Sequence, residues 1–221
     1  MKLDMHMHTH YSPDSLIKPE DAVRRALKLG LSGIAVTDHN TFEGAEKTYR
    51  IAKTIDLDFM VVKGCEIETE LGEVLALFIN EEIKERKFVE VVERVRECNG
   101  LLALPHPFDR LRKSRFHGDF EEAAKVISAV EVFNARVLFG QDNRKALAYA
   151  VGQNKAKLAG SDAHFLFELG NGITEAGGST EEELKEAIKK AQTTASGKSA
   201  LPFVHGPTKL VRMFRRYFEH R

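Results

Sequence analysis

Apolar and polar positions along this chain fall in blocks whose period switches between helix and strand. Ala22, Val23, Ala26 and Leu27 recur at helical spacing after a proline at the helix start, Pro19, and the stripe ends at Gly30. Gly33-Ile34-Ala35-Val36 is an apolar run of strand length. The alternation continues with a helix over 42–55, a strand over 58–62, an extended run over 73–79, a helix over 88–98 and a strand over 101–104. Beyond a basic stretch at 108–119 the pattern predicts a short helix over 121–127, a strand over 129–133, a helix over 142–153 and a strand at 157–160. Thr180-Glu181-Glu182-Glu183 reads as a capping box opening a helix to Ala191. A last strand near 201–204 and a basic amphipathic helix over about 207–220 complete the pattern, and a first strand begins at Met1-Lys2-Leu3. No linker or repeat interrupts it, so residues 1–221 are expected to form one α/β domain with a mainly parallel sheet, the last helix packing against it.

Polar residues gather where the expected strands end: His6 and His8, Asp38 and His39, Glu66, His106, Asn134, Asp162 and His164. In α/β barrels the active site is built from the C-terminal ends of the strands, so this placement favours a barrel over an open doubly wound sheet. Along a strand, period two puts His6 and His8 on one side, and Asp14 follows after the Tyr11-Ser12-Pro13 turn. Imidazoles and carboxylates in this proximity suit a bound transition metal.

Composition narrows the classes. Lys plus Arg and Asp plus Glu are both 33, so the net charge is zero and gives no reason to expect general nucleic-acid binding. Two cysteines without paired spacing, Cys65 and Cys98, point to a reducing compartment. No signal peptide is read at Lys2 and Asp4, and no apolar run reaches the roughly 18–20 residues of a membrane span, so the expectation is a cytoplasmic protein.

His6-x-His8, Thr37-Asp38-His39, Gly64-x-Glu66, Pro105-His106-Pro107 and Ser161-Asp162-Ala163-His164 resemble, in order and spacing, the motifs of the polymerase and histidinol phosphatase (PHP) family of metal-dependent phosphoesterases. The likeness is greatest to its small stand-alone members. The resemblance implies a single-domain distorted (β/α)7 barrel holding two or three divalent ions (Mn, Fe or Zn). It places His6, His8 and Asp162 on a first metal, with Glu66 bridging to a second completed by His106 and residue 73, and Asp14, His39 and His164 on a third. Glu73, in Gly72-Glu73-Val74-Leu75-Ala76-Leu77, stands where that subgroup has His, a harder ligand that shifts preference towards Mn²⁺ or Fe²⁺.

The implied reaction is attack on a small phosphorylated substrate, such as a nucleotide or sugar phosphate, by a metal-bridging hydroxide, whose formation at neutral pH the metals allow. Asp38 is expected as a partner or proton carrier beside His39, and Arg136 as the first choice for holding phosphate, with Arg110 and Arg115 of the basic stretch next. Two rival readings are a phosphodiesterase or 3′-exonuclease on nucleic-acid ends, which the neutral charge does not favour, and a metal-bound regulatory domain without turnover.

Overall fold

A computed structural model describes residues 1–219. The chain runs β1 (Lys2–Met7), α1 (Pro19–Lys28), β2 (Gly33–Val36), α2 (Glu43–Ile55), β3 (Met60–Thr69), β4 (Gly72–Leu77), α3 (Phe88–Glu97) and β5 (Leu101–Leu104). It continues through α4 (Phe120–Ala124), β6 (Ala129–Asn134), α5 (Gly140–Gly152), β7 (Ala156–Gly160), β8 (Gly172–Ala176), α6 (Glu181–Lys189), β9 (Thr193–Gly197) and α7 (His205–Glu219).

The strands form one nine-stranded sheet in the order β7-β6-β5-β4-β3-β2-β1-β8-β9. It curls into a nearly closed barrel, because the chain leaving β7 returns to β1. The Asp162 amide donates to the His6 carbonyl at 2.7 Å and the His8 amide to the Ala163 carbonyl at 3.0 Å. The expected barrel is present, with two differences. The sheet is mixed, since β3–β4, β4–β5, β1–β8 and β8–β9 pair antiparallel. It also has nine strands where seven are expected. The extra pair β8–β9 lies where no strand is read, while residues Pro202–Val204, read as a strand, form a 3₁₀ turn. Pro202 starts that turn, and its ring fixes a φ that suits a turn and removes a donor a strand would need.

Apolar side chains separate into two clusters. Ile34, Val36, Val61, Cys65, Leu102, Leu104, Val130 and Val132 pack outward against residues of α1, α2, α3 and α5. Leu3, Met5, Ala35, Val62, Leu75, Leu77, Ala103, Ala129 and Leu158 line the interior with Leu184 and Ile188 of α6. Strict alternation from Leu3 and Met5 would send His6 and His8 outward. The β1–β2 register shifts between Asp4 and Met7, and this irregularity reverses the parity so that Met7 joins the outer cluster and both histidines face inward. A second shift, between Glu131 and Phe133 of β6, does the same for Asn134.

The capping box of α6 is present: Thr180 accepts from the Glu183 amide, and the Glu183 carboxylate accepts from the Thr180 amide. Helix α7 meets the barrel through a polar face. Thr208 is buried, and Arg212 and Arg215 reach into the molecule, whereas Leu210, Met213 and Phe214 are 52–59% exposed. The end of the expected helix, His220, and Arg221 lie outside the described residues.

Candidate metal centre

His6, on β1, and His8, just past its end, meet at their Nε2 atoms, 3.2 Å apart. The far nitrogen of each ring is already engaged. His6 Nδ1 lies 3.1 Å from Glu131 Oε1. His8 Nδ1 lies 3.1 Å from Ser12 Oγ, whose own proton goes to Asp38 Oδ1 at 2.7 Å, so Ser12 accepts from the ring. His164 Nδ1 lies 2.8 Å from the carbonyl of Asp162, which can only accept. Three imidazoles therefore carry a proton on Nδ1 and turn Nε2 inward.

Glu66, on β3, occupies the middle. Its Oε2 lies 3.4 Å from Nε2 of both His6 and His8 and 3.1 Å from His39 Nδ1, while Oε1 lies 3.1 Å from His106 Nε2. Asp162 Oδ1 stands 3.3 Å from His8 Nε2. Asp14 Oδ2 stands 3.7 Å from His39 Nε2, and its Oδ1 stands 3.4 Å from His164 Nε2. Glu73 Oε2 comes within 3.9 Å of His106 Nε2 and accepts from Ser114 Oγ at 2.7 Å. Four overlapping groups have donor atoms close enough to share an ion: His8/His39/His164, His6/His8/Glu66, His39/Glu66/Glu73 and His6/His106/Glu131. All nine residues expected as metal ligands thus converge on one buried cluster. Three groupings differ from the expected sets: His8 also joins His39 and His164, His39 joins Glu66 and Glu73, and Glu131 joins His6 and His106.

A cation fits this arrangement. Asp14 Oδ1, Glu66 Oε2 and Asp162 Oδ1 are buried and accept no hydrogen bond. Each such orphaned group costs about 1–3 kcal/mol or more if left so, since the charge has lost its water. The Nε2 lone pairs of His6 and His8 also need a proton or a metal between them. Burial alone would lower the pKa of His6, but Glu131, Glu66 and Asp162 outweigh it and raise it well above the usual value. Burial and the charges of His164 and His39 lower that of His8.

The strand ends hold the cluster tightly. A Cβ on Gly160 of β7 would come within 2.3 Å of His6 Cβ and 2.7 Å of Glu131 Oε1, so only glycine lets β7 pass this close. Asp4 ties β1 to the loop after β7 by accepting from the amides of Ser161 at 2.8 Å and Gly170 at 2.9 Å.

Asp38 is buried and accepts from the Thr9 amide, Thr9 Oγ1 and Ser12 Oγ, which makes it the anchor of the turn after β1. Arg136 is buried too, and its guanidinium donates to Glu168 at 2.8 Å through two nitrogens and to Thr208 at 2.9 Å. Glu168 in turn accepts from the amides of His164 and Phe165. Arg110 pairs with Asp142 on α5, and Arg115 donates to the carbonyl of Arg112.

Among the described residues, the guanidiniums that do reach the cluster are Arg112, on the loop after β5, and Arg212, on α7; they pair with Asp162 and Asp14. Neither was singled out from sequence, and a basic loop gives no signal for which arginine turns inward. Glu131 was also missed. Its signal is legible in hindsight, as an acid in the middle of the apolar strand Ala129-Val130-Glu131-Val132-Phe133.

Comparison with known proteins agrees with this picture. The profile of the PHP domain matches residues 4–195. An uncharacterized protein of Methanocaldococcus jannaschii is 37% identical over 158 residues, covering 66% of this chain and 90% of that protein. A second from the same organism is 38% identical over 178 residues, covering 77% and 68%. Among solved structures, a two-domain protein from Bacteroides vulgatus, described as containing a predicted PHP-like metal-dependent phosphoesterase, superposes with a TM-score of 0.72. At 18% identity, over 95% of this chain and 69% of that one, it is a likeness of fold.

Proposed function

The chain belongs to the PHP domain family, and from that premise we propose that it hydrolyses small phosphomonoesters, such as a nucleotide or sugar phosphate, at a centre of two or three divalent metals. The reading is carried by one observation: histidine and carboxylate donors from six strands and the loops just past them meet in a buried cluster in which Asp14 Oδ1, Glu66 Oε2 and Asp162 Oδ1 lack partners. His6, His8 and Asp162 would hold one ion, with Glu66 shared with a second completed by Glu73 and His106. Asp14, His39 and His164 would hold a third, to which His8 stands close. Bound there, the metals supply Lewis-acid activation of water and neutralise phosphate charge.

The remaining roles belong to the chain itself. Glu131, Ser12 and the Asp162 carbonyl keep Nε2 of three histidines basic and aimed. Asp38 fixes the turn that carries Ser12. Arg136 is a positioning residue in this proposal: its donors are committed to Glu168 and Thr208, and Glu168 holds the backbone at His164. The oxygen-rich set containing Glu73 favours Mn²⁺ or Fe²⁺ over Zn²⁺. Both cysteines are free, which supports a reducing, cytoplasmic setting, and among the described residues no helix is long and apolar enough to cross a membrane.

The test is turnover by Mn²⁺-reconstituted protein of p-nitrophenyl phosphate, its bis-ester and single-stranded oligonucleotides. We expect monoester hydrolysis, abolished by chelation and by Glu66→Gln. Preference for the diester or the oligonucleotide would move the assignment to a phosphodiesterase or exonuclease. No turnover with metals bound would leave a regulatory domain.

A further inference from the structure

Arg112 and Arg212 do not belong to the ligand set, yet each pairs with one of its carboxylates. Arg112 reaches in from the irregular loop after β5, joins Asp162, and sets Nη1 3.1 Å from His106 Nε2. Arg212 reaches in from α7 to Asp14. In both carboxylates the second oxygen faces histidines without a hydrogen bond.

The cluster, counting Glu131, gathers five buried carboxylates: Asp14, Glu66, Glu73, Glu131 and Asp162. Without metal, that charge needs cations, and an arginine supplies one because its guanidinium keeps its proton. His106 Nε2 shows that Arg112 is an imperfect substitute. The same atom lies 3.1 Å from a donor, Arg112 Nη1, and 3.1 Å from an acceptor, Glu66 Oε1. One nitrogen cannot accept from the first and donate to the second at once, whereas a metal would satisfy both His106 and Glu66. Both side chains retain access to solvent, 20% for Arg112 and 43% for Arg212. Helix α7 has other holds, since Arg215 donates to the carbonyls of His10 and Ser12 and Thr208 meets Arg136. Release of Arg212 therefore leaves the helix in place.

We propose that Arg112 and Arg212 are displaceable counterions of the ligand set: each holds a carboxylate until a metal takes it, and is then free at the rim to grip the anionic group of the substrate. The anion-gripping half rests on the phosphoesterase reading; the displacement half does not. Metal loading thereby creates the anion site, and the loop after β5 loosens as the strand ends around it tighten.

Two measurements test this. The first is titration of metal-free protein with Mn²⁺, then of the loaded protein with inorganic phosphate, for wild type, Arg112→Gln and Arg212→Gln. Each variant should bind Mn²⁺ about tenfold more tightly, having lost the charge-assisted hydrogen bond that competes, and phosphate about tenfold more weakly. Arg112→Lys should restore much of both. Unchanged or weaker Mn²⁺ binding overturns the displacement. Tighter Mn²⁺ with unchanged phosphate overturns the anion-gripping half.

The second measurement needs no variant. Hydrogen exchange of the wild type should speed up across residues 109–115 on adding Mn²⁺ while it slows at β1 and β3, and phosphate should reverse the loop's change. A loop that becomes more protected with metal alone overturns the proposal. Wild type that exchanges as expected with metal but binds no phosphate retains the displacement and removes the phosphoesterase reading.

Discussion

Glu131 takes three hydrogen bonds at its two oxygens, from the His6 ring, the His106 amide and Asn134 Nδ2. Glu131→Gln would turn one oxygen into a donor facing another donor. Metal affinity should fall by about 10–100-fold, the range for a lost partner behind a ligating histidine, as read by Mn²⁺ titration. Equal affinity would show that His6 is aimed by something else. Glu73 allows a different test. It lies on β4 opposite Glu68 of β3, with its amide donating to the Ser114 carbonyl on the other side, and its carboxylate comes within 3.9 Å of His106 Nε2. Glu73→Ala should lose one bound ion by metal analysis and about 10²-fold or more in turnover, while Glu73→His should shift the best metal towards Zn²⁺. Full metal content and activity in the alanine variant would remove Glu73 from the centre. At this scale the sequence was most informative where residue type and strand end coincide, as at His6, His106 and Asp162. It was silent on arginines, because a long flexible side chain does not declare its direction.

The elements were legible wherever burial on both sides makes a continuous apolar run, as in β2 and β5. They were not legible where pairing overrides period. β8 and β9 carry Thr174, Glu175, Thr193, Thr194 and Ser196, and they form because they pair with each other and β8 with β1. The parity reversals in β1 and β6 are equally invisible, since they arise from register with the neighbouring strand. Helix α7 adds a related lesson: its periodicity separates two faces without saying which one meets the barrel, and here the buried hydroxyl of Thr208 and the guanidiniums turn inward. The junction of α7 with the rest passes through Arg136. Arg136→Ala would leave Glu168 buried without its partner and should cost about 3–5 kcal/mol in urea unfolding, with metal affinity lowered only through the loosened His164 segment. Normal stability together with a raised KM for a phosphomonoester would return Arg136 to the phosphate site.

For the molecule as a whole, metal is expected to be part of folding. Five buried carboxylates against two displaceable arginines leave negative charge concentrated where strands meet. An ion bound at a hundred times its dissociation constant adds about 2.7 kcal/mol. For a chain of this size that corresponds to a rise in Tm of roughly 5–10 °C. Calorimetry with and without Mn²⁺ checks this, and an unchanged Tm at saturating metal would argue against a structural contribution. The reach of α7 across the sequence then has a consequence in time. Every expected ligand, from His6 to His164, leaves the ribosome before Arg212, so a chain folding as it is made offers Asp14 to metal before its rival exists. A full-length chain diluted from denaturant has no such order. Arginine and metal then arrive together, and whether the ion is present during refolding, or only added afterwards, should decide how quickly Asp14 exchanges Arg212 for metal.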